Sequence, residues 1–157
     1  MAQTRVEQKE RTRRAILDAA LSLSEGSALV ALSLRQVAKE VGIVPTAFYR
    51  HFPSIEHLGL ALVEESLDTL RALLRELRHT AGEDAGTIID GSVAVLVEQV
   101  RQDHAHYGFI ARERFAGPAG VRDAIARGIE LAERELATDI AHLPSTDTWS
   151  ERDLEVL

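Results

Sequence analysis

The chain has 157 residues, no Cys, 45% hydrophobic and 27% charged residues, and a formal net charge of −7. That length suits one ordinary domain or two small ones sharing a core, and the apolar fraction is too high for disorder. The composition excludes a disulfide framework, a cysteine nucleophile and a thiolate-bound metal. No apolar run approaches the roughly 18 residues of a membrane span, and the charged stretch from Met1 to Arg14 lacks an apolar signal core, so a cytoplasmic protein with no membrane partner is expected.

The 3.6-residue apolar period dominates and no segment alternates for long, so the expected fold is all-α. The first helix is predicted from about Val6 to Ser24, with Ile16, Ala19, Ala20 and Leu23 inward and Gly26 as its stop. Ser33 caps a short helix carrying Leu34, Val37, Ala38 and Val41 and ended by Gly42. A second short helix starts near Pro45, a residue suited to a first helical turn, and reaches about His51. After Pro53-Ser54 a long helix is expected from Ile55 to His79, with Leu58, Leu62, Leu70, Leu73, Leu74 and Leu77 inward. Ala81 to Asp84 breaks the pattern, and the next helix carries Ile89, Val93, Leu96, Val97 and Val100. Asp103 to Phe115 is a shorter helix. Beyond Gly117-Pro118 the last full helix repeats Ile125, Ile129, Ala132, Leu136 and Ile140 from Val121 onward. Pro144 to Thr148 is a linker, and Ser150 would cap a helix that has almost no length before Leu157, so the C-terminus is expected to be truncated.

Charge is unevenly spread. Residues 1–52 hold eight Lys/Arg against five Asp/Glu, a balance of +3, and the remainder holds ten against twenty, a balance of −10. A basic head on an acidic body suggests that the head meets a polyanion and the body does not.

The segment SLRQVAKEVGIVPTAFYRHF, residues 33–52, carries the chemistry. Val37, Val41, Ile43 and Phe48 share one core. Ala38 stands where the second helix crosses closely, and Gly42 supplies a turn in which positive φ is cheap. This is the helix-turn-helix pattern, whose second helix enters the DNA major groove. Phe48 and Phe52, at i and i+4, are read as core aromatics, whereas Tyr49 lies among the outward Thr46, Arg50 and His51.

These residues resemble the N-terminal domain of TetR-family transcriptional repressors: the run TAFYRHF before Pro53-Ser54, and a preceding helix with Thr12, Arg13 and Ile16 to Ala20. Within that family the likeness is greatest to FabR-type and DesT-type repressors of unsaturated fatty-acid synthesis, through residues 8–14, 32–35, 45–52 and 58–60, with Arg112-Glu113-Arg114 a weaker match. Two departures stand out. Many members carry a Lys after Pro-Ser, where this chain has Ile55 and Glu56, and members are usually longer, with two C-terminal helices that pair in a dimer.

The resemblance implies a three-helix helix-turn-helix domain over residues 1–53 and a helical ligand-binding and dimerisation domain over residues 54–157. Thr46 and Ala47, after Pro45, would reach base edges. Tyr49, Arg50 and His51 would meet phosphates, as would Ser33 and Arg35 at the start of the preceding helix and Arg11, Thr12 and Arg14 on the first. A homodimer would read a palindromic double-stranded operator with half-sites ~34–36 Å apart. The body would enclose a small hydrophobic effector, a long-chain acyl-CoA if the FabR likeness holds. Leu62, Leu70, Val93, Val97, Phe109, Ile125 and Ile129 would line the site, and Arg112 and Arg114 would meet phosphate, with Arg122 and Arg127 as further cations.

A repressor of an efflux or catabolic operon, sensing another hydrophobic molecule, shares this pattern, and a protein-interaction module is a more distant alternative. No cofactor, metal or catalytic residue is expected. His104 and His106 diverge by ~200° on a helix, and no hydrolase, phosphate-loop or dinucleotide motif is present.

Overall fold

A computed structural model describes residues 4–80 and 85–141. They form seven α-helices and one 3₁₀ turn, with no strand among the described residues. The helices are α1 (Arg5–Leu23), α2 (Leu34–Val41), α3 (Pro45–Phe48), α4 (Ile55–Thr80), α5 (Ala85–Gln102), α6 (His104–Ala116) and α7 (Ala119–Ala141), and the 3₁₀ turn is Leu29–Ala31. The all-α expectation holds. The break at residues 81–84, the linker at Pro144, the helix expected from Ser150, the expected truncation and the C-terminal pairing element all lie outside the described residues. No described helix is long and apolar enough to cross a membrane.

Packing groups the chain into two compact units, Met1–Glu65 with Ala105–Ile125, and Ser66–His104 with Ala126–Leu157. In the first unit α1 starts at a capping box that the sequence reading had passed over. Thr4 Oγ1 accepts from Glu7 N at 3.2 Å, and Glu7 Oε2 accepts from Thr4 N at 3.0 Å. Ile16, Leu17 and Ala20 of α1 are buried, as are Leu29, Val37, Phe48, Phe52, Leu58 and Phe109. Each large apolar side chain removed from water contributes roughly 1.5–3 kcal/mol. Gly59 permits a close approach, because a Cβ there would collide with Leu29 and lie 3.2 Å from Val121.

In the second unit Leu67, Leu74 and Ile88 are buried. Gly128 faces Leu67, with no room for a Cβ, and a Cβ at Gly91 would lie 2.9 Å from Leu77 Cδ1. The Arg75–Glu135 pair at 3.9 Å is largely exposed and contributes at most about 1 kcal/mol.

The apolar residues of α5 divide between two faces. Ile88 and Ser92 are buried and Ile89 is half-buried, whereas Val93 (57% exposed), Leu96, Val97 and Val100 face outward. Leu70, Leu73 and Leu77 of α4 are half-buried rather than buried.

Candidate functional site

The site is built on the turn between α2 and α3. Ser33 is the N-cap of α2: its Oγ accepts from Gln36 N at 3.2 Å, and Gln36 Oε1 accepts from Ser33 N at 2.8 Å. Ser33→Ala removes one half of this box. It should lower stability by about 1 kcal/mol, read as a shift of the thermal or urea transition. An unchanged transition would show that the box contributes nothing.

Gly42 ends α2 in the left-handed region at φ 75°, ψ 30°. Its turn is closed by Ile43 N donating to Ala38 O at 2.9 Å. A side chain at position 42 would strain the backbone that sets the entry of α3.

Pro45 opens α3 as its first residue. The sequence expectation carried this helix to His51, but α-helical geometry stops at Phe48. Arg50 N then donates to Ala47 O at 3.2 Å and His51 N to Phe48 O at 2.8 Å, a tightening to i→i−3 bonds. Phe52 N still donates to Phe48 O at 3.1 Å, and Pro53 has no N–H to carry the ladder further.

The aromatic trio divides as its environment dictates. Phe48 and Phe52 are buried with ring centroids 6.0 Å apart. Tyr49 is 59% exposed and meets Phe48 edge-on at 6.1 Å. Pro45, Thr46 and Arg50 are exposed beside it, Ala47 and His51 are half-buried, and Ser33 and Arg35 at the start of α2 are exposed. α2 and α3 thus present a polar, cationic surface on an aromatic base. The geometry suits it to rest on a flat or grooved polyanion, with short side chains leading and longer donors flanking.

His51 lies at the edge of this surface. Its Nδ1 is buried with no hydrogen-bond partner among the described residues. Burial, followed by the nearby charges of Lys9 and Arg13, holds the imidazole below its ordinary 6.5; Arg50 acts in the same direction and Glu10 opposes. The folded chain therefore binds fewer protons here than the unfolded chain. This contribution to stability is present above pH 6.5 and is lost as pH falls below it.

The α1 candidates need correction. Arg14, expected to meet phosphate, pairs with Asp18 at 3.0 Å and with Glu65, so its charge is neutralised within the fold. Thr12 donates its hydroxyl to Gln8 O at 3.0 Å, and Arg11 donates to Gln8 Oε1 at 2.6 Å. Arg13, which sequence reasoning left without a role, lies 4.4 Å above the Phe52 ring and donates to His51 O at 3.5 Å. It ties α1 to the end of the α3 turn.

The effector candidates divide between the units. Leu62, Phe109 and Ile125 are buried in the first unit, and Leu70 and Ile129 are half-buried in the second. Val93 and Val97 are exposed. Arg112 is corrected as a ligand cation, because it donates to the carbonyls of Ser24, Glu25 (2.9 Å) and Ser27 (3.5 Å) at the end of α1. Arg114 is exposed and stacks on the exposed Phe115 at 5.1 Å, and Arg122 donates to Gly117 O at 2.7 Å.

Glu113 was missed altogether. It is 0% exposed; Oε1 accepts from Leu29 N at 3.0 Å, and Oε2 is buried without a partner among the described residues.

Comparison with known proteins places this arrangement. Residues 16–62, from α1 through α2 and α3 into α4, match the model for bacterial regulatory proteins of the tetR family. Over those residues the chain is similar to the N-terminal domain of that family. A transcriptional regulator from Aquifex aeolicus VF5 superposes with a TM-score of 0.72 at 19% identity, over 92% of this chain and 79% of that one. A TetR-family regulator from Bordetella parapertussis 12822 gives 0.73 at 14%, over 92% and 74%. The fatty acid degradation regulator FadR from Bacillus halodurans gives 0.78 at 16%, over 92% and 75%. At these identities the likeness is one of fold.

Proposed function

We propose that the chain is a ligand-responsive DNA-binding transcriptional repressor that acts as a homodimer on a palindromic double-stranded operator. The observation that carries this reading is the exposed polar face of Pro45, Thr46, Tyr49 and Arg50, held on the buried Phe48–Phe52 pair and aimed by the left-handed Gly42 turn. A Thr can donate to or accept from a base edge, and the Ala47 methyl can meet a thymine methyl. Tyr49, Arg50, His51, Ser33 and Arg35 then hold phosphates, which position the protein without reading sequence. The match of residues 16–62 to the tetR family supports the same reading.

The two roles are separable. Tyr49→Phe should weaken binding on every duplex by a similar factor, whereas Thr46→Ala should relax preference at one base position. Fluorescence anisotropy on a set of single-base operator variants reads both. Equal losses across all duplexes for both substitutions would contradict this division.

For the effector we propose a long-chain acyl-CoA. The support is the resemblance over residues 8–60 to fatty-acid-responsive repressors, and a fold shared with a protein described as a regulator of fatty acid degradation. Within the first unit, Leu62, Phe109 and Ile125 remain the apolar residues proposed to meet the acyl chain, and Arg114 a cation for its phosphates. Such a ligand changes DNA affinity only as far as it prefers one conformation of the protein. Titration of oleoyl-CoA into the protein–operator complex should shift the apparent Kd at micromolar concentrations, with free coenzyme A inert. An unmoved Kd would exclude this effector class.

A further inference from the structure

The cations of α1 fall into three sets that the linear sequence does not separate, with Arg11 apart from the others on Gln8 Oε1 at 2.6 Å. Arg14 is spent on Asp18 and Glu65. Arg5, Lys9 and Arg13, spaced i, i+4 and i+8, form one stripe along the helix. Among the described residues no carboxylate forms an ion pair with any of the three. The stripe is costly to hold together. Its members repel at i, i+4 spacing, and Arg5 stands at the positive end of the helix dipole. Its far end is fixed in place, because Arg13 lies over the Phe52 ring at 4.4 Å and donates to the carbonyl of His51. Lys9, one turn earlier, and Arg13 both act electrostatically on the His51 ring, together with Arg50 from the α3 turn and against Glu10. The stripe therefore ends on the α3 turn, through Arg13.

We propose that the Arg5–Lys9–Arg13 stripe is the part of α1 that grips DNA phosphate, beside the α3 turn on which Arg13 rests. This rests on the DNA-binding reading above and assigns it a contact row on a face of α1 that Arg14 does not share. A polyanion on the stripe relieves the repulsion that the free protein carries. Arg13, already held on Phe52, loses little freedom when its remaining donors meet a phosphate.

The test measures affinity for a 30-base-pair mixed-sequence duplex as a function of salt, since phosphate contacts are sequence-independent. Lys9→Ala should weaken binding roughly threefold to tenfold near physiological salt and reduce the slope of log K against log salt by about 0.9, the loss of one phosphate contact. Lys9→Arg should restore both, and Arg14→Ala should leave the slope unchanged. A second readout needs no DNA. In the free chain, the NMR titration midpoint of His51 should rise in Lys9→Ala, because one of the cations that depresses it is gone. An unchanged slope in Lys9→Ala while the wild-type chain binds normally overturns the stripe and leaves the DNA-binding reading standing. So does a slope lost in Arg14→Ala instead. A wild-type chain with no affinity for any duplex overturns both.

Discussion

Phe48→Ala is expected to destabilise the first unit by about 3–5 kcal/mol, which removes most of the stability of an ordinary domain and abolishes DNA binding with it. The ring is fully buried and packs on Phe52 at 6.0 Å, with Tyr49 edge-on at 6.1 Å. Truncation leaves a cavity beside the buried Phe52 ring. Urea unfolding followed by circular dichroism measures the loss. A cost under 1 kcal/mol would mean that the aromatic base does not hold the exposed face.

Glu113→Ala should cost about 2–4 kcal/mol, and Glu113→Gln far less. The alanine variant leaves Leu29 N buried without its acceptor and opens a cavity beneath the 3₁₀ turn. Glutamine keeps an oxygen in the place of Oε1. It also replaces a charge whose second oxygen is buried without a partner among the described residues by a neutral amide, which costs less to desolvate. Gly117 lies against the same carboxylate, since a Cβ there would sit 2.9 Å from Oε2 and 2.6 Å from the Glu113 carbonyl. Paired unfolding curves decide the matter: equal losses in the two variants would show that the charge itself, and not the hydrogen bond to Leu29, does the holding. Together with the Arg112 bonds to Ser24, Glu25 and Ser27, this contact fastens α6 to the end of α1 and the 3₁₀ turn.

How legible these features were in the sequence depends on the distance over which each is determined. The Ser33 cap, the Gly42 turn and Pro45 at the start of α3 are local signals, and each stands where its chemistry puts it. The exposure of Tyr49 and the burial of Phe48 and Phe52 follow from their spacing and their polar neighbours. The α5 face did not follow in this way. Its apolar residues cover two adjacent stripes, one through Ile88 and Ser92 and one through Val93, Leu96, Val97 and Val100, and periodicity alone cannot say which of them finds a partner. Arg14, Arg112 and Glu113 were illegible for another reason. Their partners Glu65, Ser24 and Leu29 stand 51, 88 and 84 residues away, and nothing in the local sequence says which distant group a charged side chain meets.

The central claim is that the α2–α3 turn presents a face that reads DNA. Its most direct test is selection of bound duplexes from a random pool near physiological salt, run with the wild-type chain and with Thr46→Ala. The account predicts a two-fold symmetric sequence for the wild type, with half-sites ~34–36 Å apart, and the same sequence with one relaxed position in each half for Thr46→Ala. Enrichment of no sequence, or of one indifferent to Thr46, would contradict it.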